Sequence, residues 1–192
     1  GVCAVAKHFP ANGNADPHDS VPSLNYTRSA LDKEHIGPFK EAMKSGVSAM
    51  MISHASFPRI DGDKPATLSK AIISDLLKDT LGFSGIVLTD DLRMKALTKN
   101  YKPEDSAVLA LQAGADMLMY TGGDFKAVRD AVVKAVRDGI LPESRLDDAV
   151  GRVVKTKMHY KLWDVASKEK RGELFGRLAD IVSEGAEILK SF

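Results

Sequence analysis

The sequence has one cysteine, Cys3, so no internal disulfide framework holds the fold. Charge of a dominant sign is also missing: 27 basic groups stand against 26 acidic ones, a formal net of +1, which removes the general pull on nucleic acid or anionic lipid that a basic face supplies. No apolar run reaches the roughly 18 residues of a membrane span. The first six residues, Gly1-Val2-Cys3-Ala4-Val5-Ala6, are apolar but short and have no basic lead, which makes them a poor signal peptide and a better strand. Internal repeats and low-complexity tracts are absent beyond an alternation of strand and helix patterns. What is present is 192 residues with 44% hydrophobic content, enough for a packed core and too much for a disordered or collagenous chain.

Four short, nearly continuous apolar runs, at 2–8, 47–54, 85–90 and 115–120, read as parallel strands buried on both faces. On that reading Cys3 is inert packing inside the first of them. Each run is followed by a pattern of period 3.6, at 28–45, 68–81, 105–113 and 125–137. Thr67 and Asp124 stand where helix N-caps belong. Gly46, Gly82, Gly114 and Gly139 stand where left-handed C-cap residues belong. The order βαβαβαβα demands a parallel sheet with helical cover. Further helices are expected over about 141–160 and 173–189, joined by a charged link at 167–171.

Parallel strands place all their C-termini on one rim, and that rim is where α/β folds build active sites. Here it collects Lys7 and His8 from the first strand, His54 from the second, Asp90 and Asp91 from the third, and Tyr120-Thr121-Gly122-Gly123 from the fourth. The loop at 9–26 adds Asp16 and His18, with three Pro, three Asn and two Asp in 18 residues, a composition of functional rather than idle loops. Taken singly, a polar strand-end residue more often caps a helix or meets water. The joint set is harder to assign to capping. His8, His18, His54 and Asp90 are metal ligands on paper, but no compact spacing such as HExxH occurs, and no metal or other cofactor is expected. A small-molecule-binding α/β module of the flavodoxin type accounts for the alternation but leaves the rim residues unexplained.

Three motifs occur in order: Lys7-His8-Phe9-Pro10, then Asp16-Pro17-His18, then Thr89-Asp90-Asp91-Leu92-Arg93-Met94. Together they resemble glycoside hydrolase family 3, in its β-N-acetylglucosaminidase (NagZ-type) branch, whose members carry KHFPGHG, a D-S-H triplet and a [ST]-D-x-L-x-M segment. Residues 65–69, 81–85 and 113–117 resemble the same branch, and the likeness extends over about residues 2–160. It implies a (β/α)8 TIM-barrel type of α/β fold, of which about four βα units stand here as a half barrel with C-terminal helices. The boundaries implied are 1–164 for the C-terminal half of the catalytic barrel and 165–192 for a trailing helical segment, the lead into a second domain.

The resemblance also implies roles. Asp90 aligns with the catalytic nucleophile, His18 with the general acid/base and Asp16 with its dyad partner. Lys7 and His8 align with residues that hold sugar hydroxyls; Met94 and His54 complete the expected substrate-binding set. The implied reaction is retaining hydrolysis of terminal β-linked N-acetylglucosamine, as in bacterial cell-wall recycling, on an N-acetylglucosamine-containing saccharide. Three alternatives stay open: a β-glucosidase, a phosphorylase in which phosphate replaces water, and a half barrel inactive without its missing half or a second copy. The expected compartment is the cytoplasm, or the periplasm or cell surface if a signal lies upstream. Two departures from the family pattern stand out: Ala11-Asn12-Gly13 replaces Gly-His-Gly, and Pro17 replaces Ser between Asp16 and His18.

Overall fold

The computed structural model describes residues 2–13 and 21–162; Asp16 and His18 lie outside the described residues, as do the expected helix at 173–189 and the trailing segment at 165–192. Contacts divide the chain after Thr156, and the sheet with its helical cover lies in the unit Gly1–Thr156.

Four strands, β1 (Val5–Phe9), β2 (Ala49–Ile52), β3 (Ile86–Asp91) and β4 (Met117–Met119), pair in the order β1-β2-β3-β4, all parallel. Helices cross between them: α1 (Arg28–Glu34) and α2 (Gly37–Lys44) after β1, a short turn α3 (Pro58–Asp61) and a π-type helix (Ala71–Thr80) after β2, then α4 (Lys95–Thr98) and α5 (Pro103–Ala113) after β3. Helices α6 (Phe125–Arg137) and α7 (Glu143–His159) follow β4. The sheet and its cover follow the βα alternation of the sequence. The core includes Phe9, Met50, Ile52 and Val87 of the strands together with Ile72, Ile73, Leu76 and Leu77 of the π-type helix, and Phe9 packs edge-on against Phe39 of α2.

Several local expectations hold. Gly46, Gly82, Gly114 and Gly139 all have positive φ at helix ends, and the Asp124 carboxylate accepts the Ala127 N–H at the start of α6. Others need correction. The first strand begins at Val5, with Val2 90% exposed and Cys3 half-buried outside it. Burial on both faces applies to β2 and, in β3, to Ile86, Val87 and Thr89. The outer strands β1 and β4, each paired on one side among the described residues, leave Val5 42% and Met117 43% exposed. The helix expected over 28–45 breaks between Glu34 and Gly37, because Pro38 lacks an N–H and starts a new helix rather than continuing the old one. Thr67 is no N-cap: Pro65 opens a 3₁₀ turn (Ala66–Leu68), the Thr67 side chain turns inward, and Ser69 Oγ accepts the Ile72 N–H instead.

A buried carboxylate fastens the end of the sheet opposite the rim. Asp116, its side chain fully buried just before β4, accepts from the Val87 N–H (2.9 Å), Lys78 Nζ (2.9 Å) and an Arg145 guanidinium N–H (2.5 Å). Arg145 also donates to the carbonyls of Leu111 (3.2 Å) and Ala115 (2.8 Å), and Arg152 to that of Ser84 (2.9 Å). One side chain thereby ties α7 and the π-type helix to β3 and β4.

Candidate active site

At the opposite, C-terminal end of the sheet, the strands deliver their polar residues to one rim. The exposed Lys7 and half-buried His8 precede Phe9, the last residue of β1, with cis peptide bonds at Lys7–His8 and Phe9–Pro10. β3 contributes Asp90 and Asp91. His8 Nε2 lies 3.5 Å from Asp90 Oδ2, with the two side chains 23% and 18% exposed. The other carboxylate oxygen of Asp90, Oδ1, accepts the Asp91 N–H at 2.8 Å. One oxygen is thus held by backbone, and the other is presented at the rim beside an imidazole.

Burial pulls His8 below its ordinary value, Asp90 pulls it back and Lys7 pushes it down further. His8 is therefore neutral at pH 7, with a ring N–H to give and no charge to neutralise the carboxylate beside it.

Asp91 is fixed from several sides. Its carboxylate accepts from the Thr121 hydroxyl, the Thr121 N–H (3.2 Å) and the Arg93 N–H (3.0 Å), while Arg93 reaches across to the Thr121 carbonyl (3.1 Å). Burial pushes its pKa up. The bonds from Thr121 and Arg93, with the Arg93 charge, outweigh burial and hold the carboxyl below the usual range. Nearby, Thr89 Oγ1 accepts the Met119 N–H (2.9 Å), a side chain bridging β3 to β4 where their register shifts. Met94 is half-buried at the entry to α4, and its N–H donates to the Asp91 carbonyl (3.0 Å).

His54 differs from the rest of the expected substrate-binding set. It is 1% exposed, and both ring nitrogens are occupied within the chain, Nδ1 by Thr67 Oγ1 (2.7 Å) and Nε2 by the Asp91 carbonyl (3.0 Å). No ring nitrogen remains for a sugar hydroxyl, so direct substrate contact gives way to a role in holding the rim. Burial pulls its pKa down against the opposing pull of the Asp91 carbonyl and the Asp90 and Asp91 charges.

The structure therefore brings His8, Asp90 and His54 together at the rim, with Lys7 on the same strand end and Met94 behind Asp91. Thr67 and the Asp91–Thr121 bond were missed as site elements. Thr121 stood at a strand end in the sequence, but Thr67 carried no signal beyond a hydroxyl before a helix. The described flanks of residues 14–20 return to the same rim. A Cβ on Gly13 would lie 2.8 Å from Leu24 Cδ2. Beyond them, the Ser56 N–H donates to the Pro22 carbonyl (2.8 Å) and the Leu24 N–H to the Ser56 carbonyl (2.9 Å), just after β2.

Residues 1–156 match the family model described as Glycosyl hydrolase family 3 N terminal domain. A β-hexosaminidase of Nitrosomonas eutropha is 37% identical over 123 residues, covering 62% of this chain and 34% of that protein. The β-hexosaminidase LpqI of Mycobacterium bovis is 33% identical over 169 residues, covering 82% of this chain and 42% of its own length. Among solved structures, a glycoside hydrolase family 3 β-N-acetylglucosaminidase from Paenibacillus sp. superposes with a TM-score of 0.78 at 40% identity, over 82% of this chain and 31% of that one. The chain thus spans between about a third and two fifths of the length of these relatives. The fold they share is of the TIM-barrel type, and the four βα units around β1 to β4 are part of such a barrel.

Proposed function

The chain belongs to glycosyl hydrolase family 3, in its β-N-acetylglucosaminidase branch, and from that premise we propose that it carries the nucleophile and acid/base groups of a retaining hydrolase for terminal β-linked N-acetylglucosamine. The observation that carries the reading is the state of Asp90. Its Oδ1 is held by the Asp91 N–H, and its Oδ2 stands at the strand-end rim 3.5 Å from His8.

In the first step Asp90 Oδ2 attacks the anomeric carbon as the bond to the leaving oxygen breaks, and His18 supplies that oxygen with its proton. A covalent glycosyl ester on Asp90 results. In the second step His18, now neutral, takes a proton from water, the water oxygen bonds to the anomeric carbon, and the ester opens to restore the Asp90 carboxylate. Two inversions give net retention. A histidine suits this duty because its ordinary pKa of roughly 6.5 already lies near neutrality, and it adds no second negative charge beside the nucleophile. Asp16, two residues away, orients the ring and stabilises the imidazolium, as the acid of a Ser-His-Asp triad does. Neutral His8 and cationic Lys7 donate to sugar hydroxyls, and Met94 lines the pocket. The catalytic assignment spans 1–164, with 165–192 as a trailing segment.

The test is hydrolysis of an aryl N-acetyl-β-glucosaminide by the full chain. Asp90→Ala is expected to abolish turnover. His18→Ala is expected to lose activity on poor leaving groups and to spare activated ones, since only the former need the proton. Full activity in Asp90→Ala refutes the assignment. A second reading rests on the edges of the sheet: β1 and β4 each bond a neighbour on one side among the described residues, with Val5 and Met117 exposed on them. On that reading turnover requires further strands, from another polypeptide or a second copy. Activity from monomeric chain alone that vanishes in Asp90→Ala excludes it.

A further inference from the structure

Among the described residues the Asp90 carboxylate accepts one backbone N–H, that of Asp91, and what fixes Asp91 in turn fixes the proposed nucleophile. The Asp91 carbonyl has two lone pairs, and both are used: one accepts the Met94 N–H (3.0 Å) and the other faces His54 Nε2 (3.0 Å). A carbonyl can only accept, so Nε2 must carry a proton. At the far side of the ring, Nδ1 meets Thr67 Oγ1 at 2.7 Å, and that hydroxyl lies 2.7 Å from the Ser53 carbonyl as well. The hydroxyl has one proton, which serves either the Ser53 carbonyl or Nδ1; turned to Nδ1, it leaves the Ser53 carbonyl still accepting the Thr67 N–H (3.1 Å). With His54 neutral, every polar atom of this relay is then satisfied by one tautomer only: Thr67 O–H donates to Nδ1, and Nε2–H donates to the Asp91 carbonyl.

The His54 and Thr67 end of the relay is buried, with His54 1% exposed and Ser53 and Thr67 0%, while Asp91 is half-buried. In such surroundings an unmade hydrogen bond is costly, which makes the arrangement stiff rather than decorative. The charged and titratable groups that act on His54 are His8 from β1 and Asp90 and Asp91 from β3, and burial outweighs the two carboxylates in favouring the neutral ring.

We infer that His54 and Thr67 are positioning residues for the nucleophile: Thr67 sets the Nε2–H tautomer of His54, His54 pins the Asp91 carbonyl, and the pinned peptide keeps the Asp91 N–H on Oδ1 of Asp90, leaving Oδ2 as the attacking oxygen. The inference rests on the reading of Asp90 as nucleophile for its catalytic half, and on the hydrogen-bond geometry alone for its structural half. Neither residue touches substrate. The link runs from the loop after β2 to the end of β3, between residues 13 and 37 positions apart in sequence.

The experiment pairs an activity-independent readout with a kinetic one on the full chain. Long-range proton–nitrogen NMR of the imidazoles is expected to show His54 as a single Nε2–H tautomer at neutral pH, and Thr67→Val to lose that single state while Thr67→Ser keeps it. Hydrogen exchange at the Asp91 amide is expected to accelerate at least about tenfold in His54→Leu. His54→Gln, whose side-chain amide still donates to the Asp91 carbonyl, is expected to restore most of the protection. With an aryl N-acetyl-β-glucosaminide, His54→Leu is expected to lower kcat by about 100-fold with KM within about twofold, the signature of a displaced nucleophile rather than a lost contact. His54→Gln recovers at least tenfold of that loss.

An unchanged Asp91 exchange rate in His54→Leu, or an Nδ1–H tautomer in the unaltered chain, overturns the structural half. A kcat within twofold in His54→Leu, where Asp90→Ala has lost activity, overturns the catalytic half. If Asp90→Ala keeps full activity, the nucleophile reading fails instead, and exchange and tautomer still decide whether His54 holds the strand end.

Discussion

Replacing Asp116 by alanine is expected to be among the most damaging single changes in the described fold, although the residue lies at the end of the sheet away from the chemistry. The carboxylate is fully buried and accepts from the Val87 N–H, from Lys78 and from Arg145, whose side chains are only 11% and 16% exposed. Alanine leaves the Val87 N–H unpaired in the core, at about 1–3 kcal/mol, and strands two cations that cannot fully reach water; breaking such a buried pair costs about 3–5 kcal/mol. The two costs overlap, and part is recovered, since Arg145 keeps Asp148 and two backbone carbonyls while Lys78 has Asp148 at 3.9 Å. A net loss near 3 kcal/mol follows, or about 6–12 °C in Tm for a chain of this size. Asp116→Asn keeps an oxygen for the Val87 N–H and is expected to recover about 1 kcal/mol of it. Lys78→Met is expected to cost less than either. Burial already pulls the Lys78 ammonium below its ordinary value, with Asp116 pulling it back, so the charge is held at a penalty that methionine removes. Urea unfolding followed by circular dichroism measures all three. Asp116→Ala within about 1 kcal/mol of the unaltered chain refutes the reasoning.

Two further outcomes test the packing and the titration of the rim. A Cβ on Gly85 would lie 2.5 Å from the Ser48 carbonyl oxygen and 2.6 Å from Phe83 Cζ, so Gly85→Ala is expected to destabilise by at least about 1–3 kcal/mol. Gly151→Ala, in an exposed position within α7 with nothing nearby, is expected to stabilise by about 0.5–1 kcal/mol; equal effects at the two sites in thermal denaturation would refute the geometry. His8 and His54 both have folded pKa values below the ordinary one, burial being the leading cause. The unfolded chain therefore binds protons more readily, and stability present above about pH 6.5 falls as pH drops through the depressed values. The slope is expected to diminish in His54→Gln, and urea midpoints measured from pH 7.5 down to 5 check it.

Local features of the fold were the most legible in the sequence. Glycines at 46, 82, 114 and 139 marked helix ends because only a residue without Cβ adopts positive φ cheaply, and that requirement is independent of tertiary context. Asp124 declared its cap for the same reason: donor and acceptor are three residues apart. His54 and Thr67 were not legible. A histidine at a strand end reads as a rim group, and only the packed structure shows it turned under the rim with both nitrogens taken. Thr67 followed Pro65 into a 3₁₀ turn whose inward direction no periodicity encodes. Asp116 was visible as part of a motif but not as an ionic centre, because its partners Lys78, Val87 and Arg145 come from 29 to 38 residues away.

Asp116 and Asp90 are the same residue type at opposite ends of neighbouring strands, and with Asp90 as the proposed nucleophile the contrast shows how one sheet would support both stability and chemistry. A carboxylate that is to hold helices down must have its oxygens saturated by donors, and the buried Asp116 side chain accepts from Lys78, Arg145 and a backbone N–H, with Arg152 a third cation at 3.9 Å. A carboxylate that is to attack carbon must keep one oxygen unencumbered. Around Asp90 the fixed donors are spent on its neighbour instead: Asp91 takes the Thr121 and Arg93 bonds on its side chain and the His54 and Met94 bonds on its carbonyl. The strand end is thereby held while, among the described residues, Oδ2 of Asp90 meets a neutral imidazole at 3.5 Å. Rigidity borrowed from an adjacent residue leaves Oδ2 of the proposed nucleophile without a cation placed directly on it, whereas such a cation would lower its reactivity toward an anomeric carbon. It follows that introducing a direct cation, as in His8→Lys, should stabilise the folded chain or leave it unchanged while slowing turnover. A variant that loses stability and keeps its rate would show that His8 serves packing rather than the reacting oxygen.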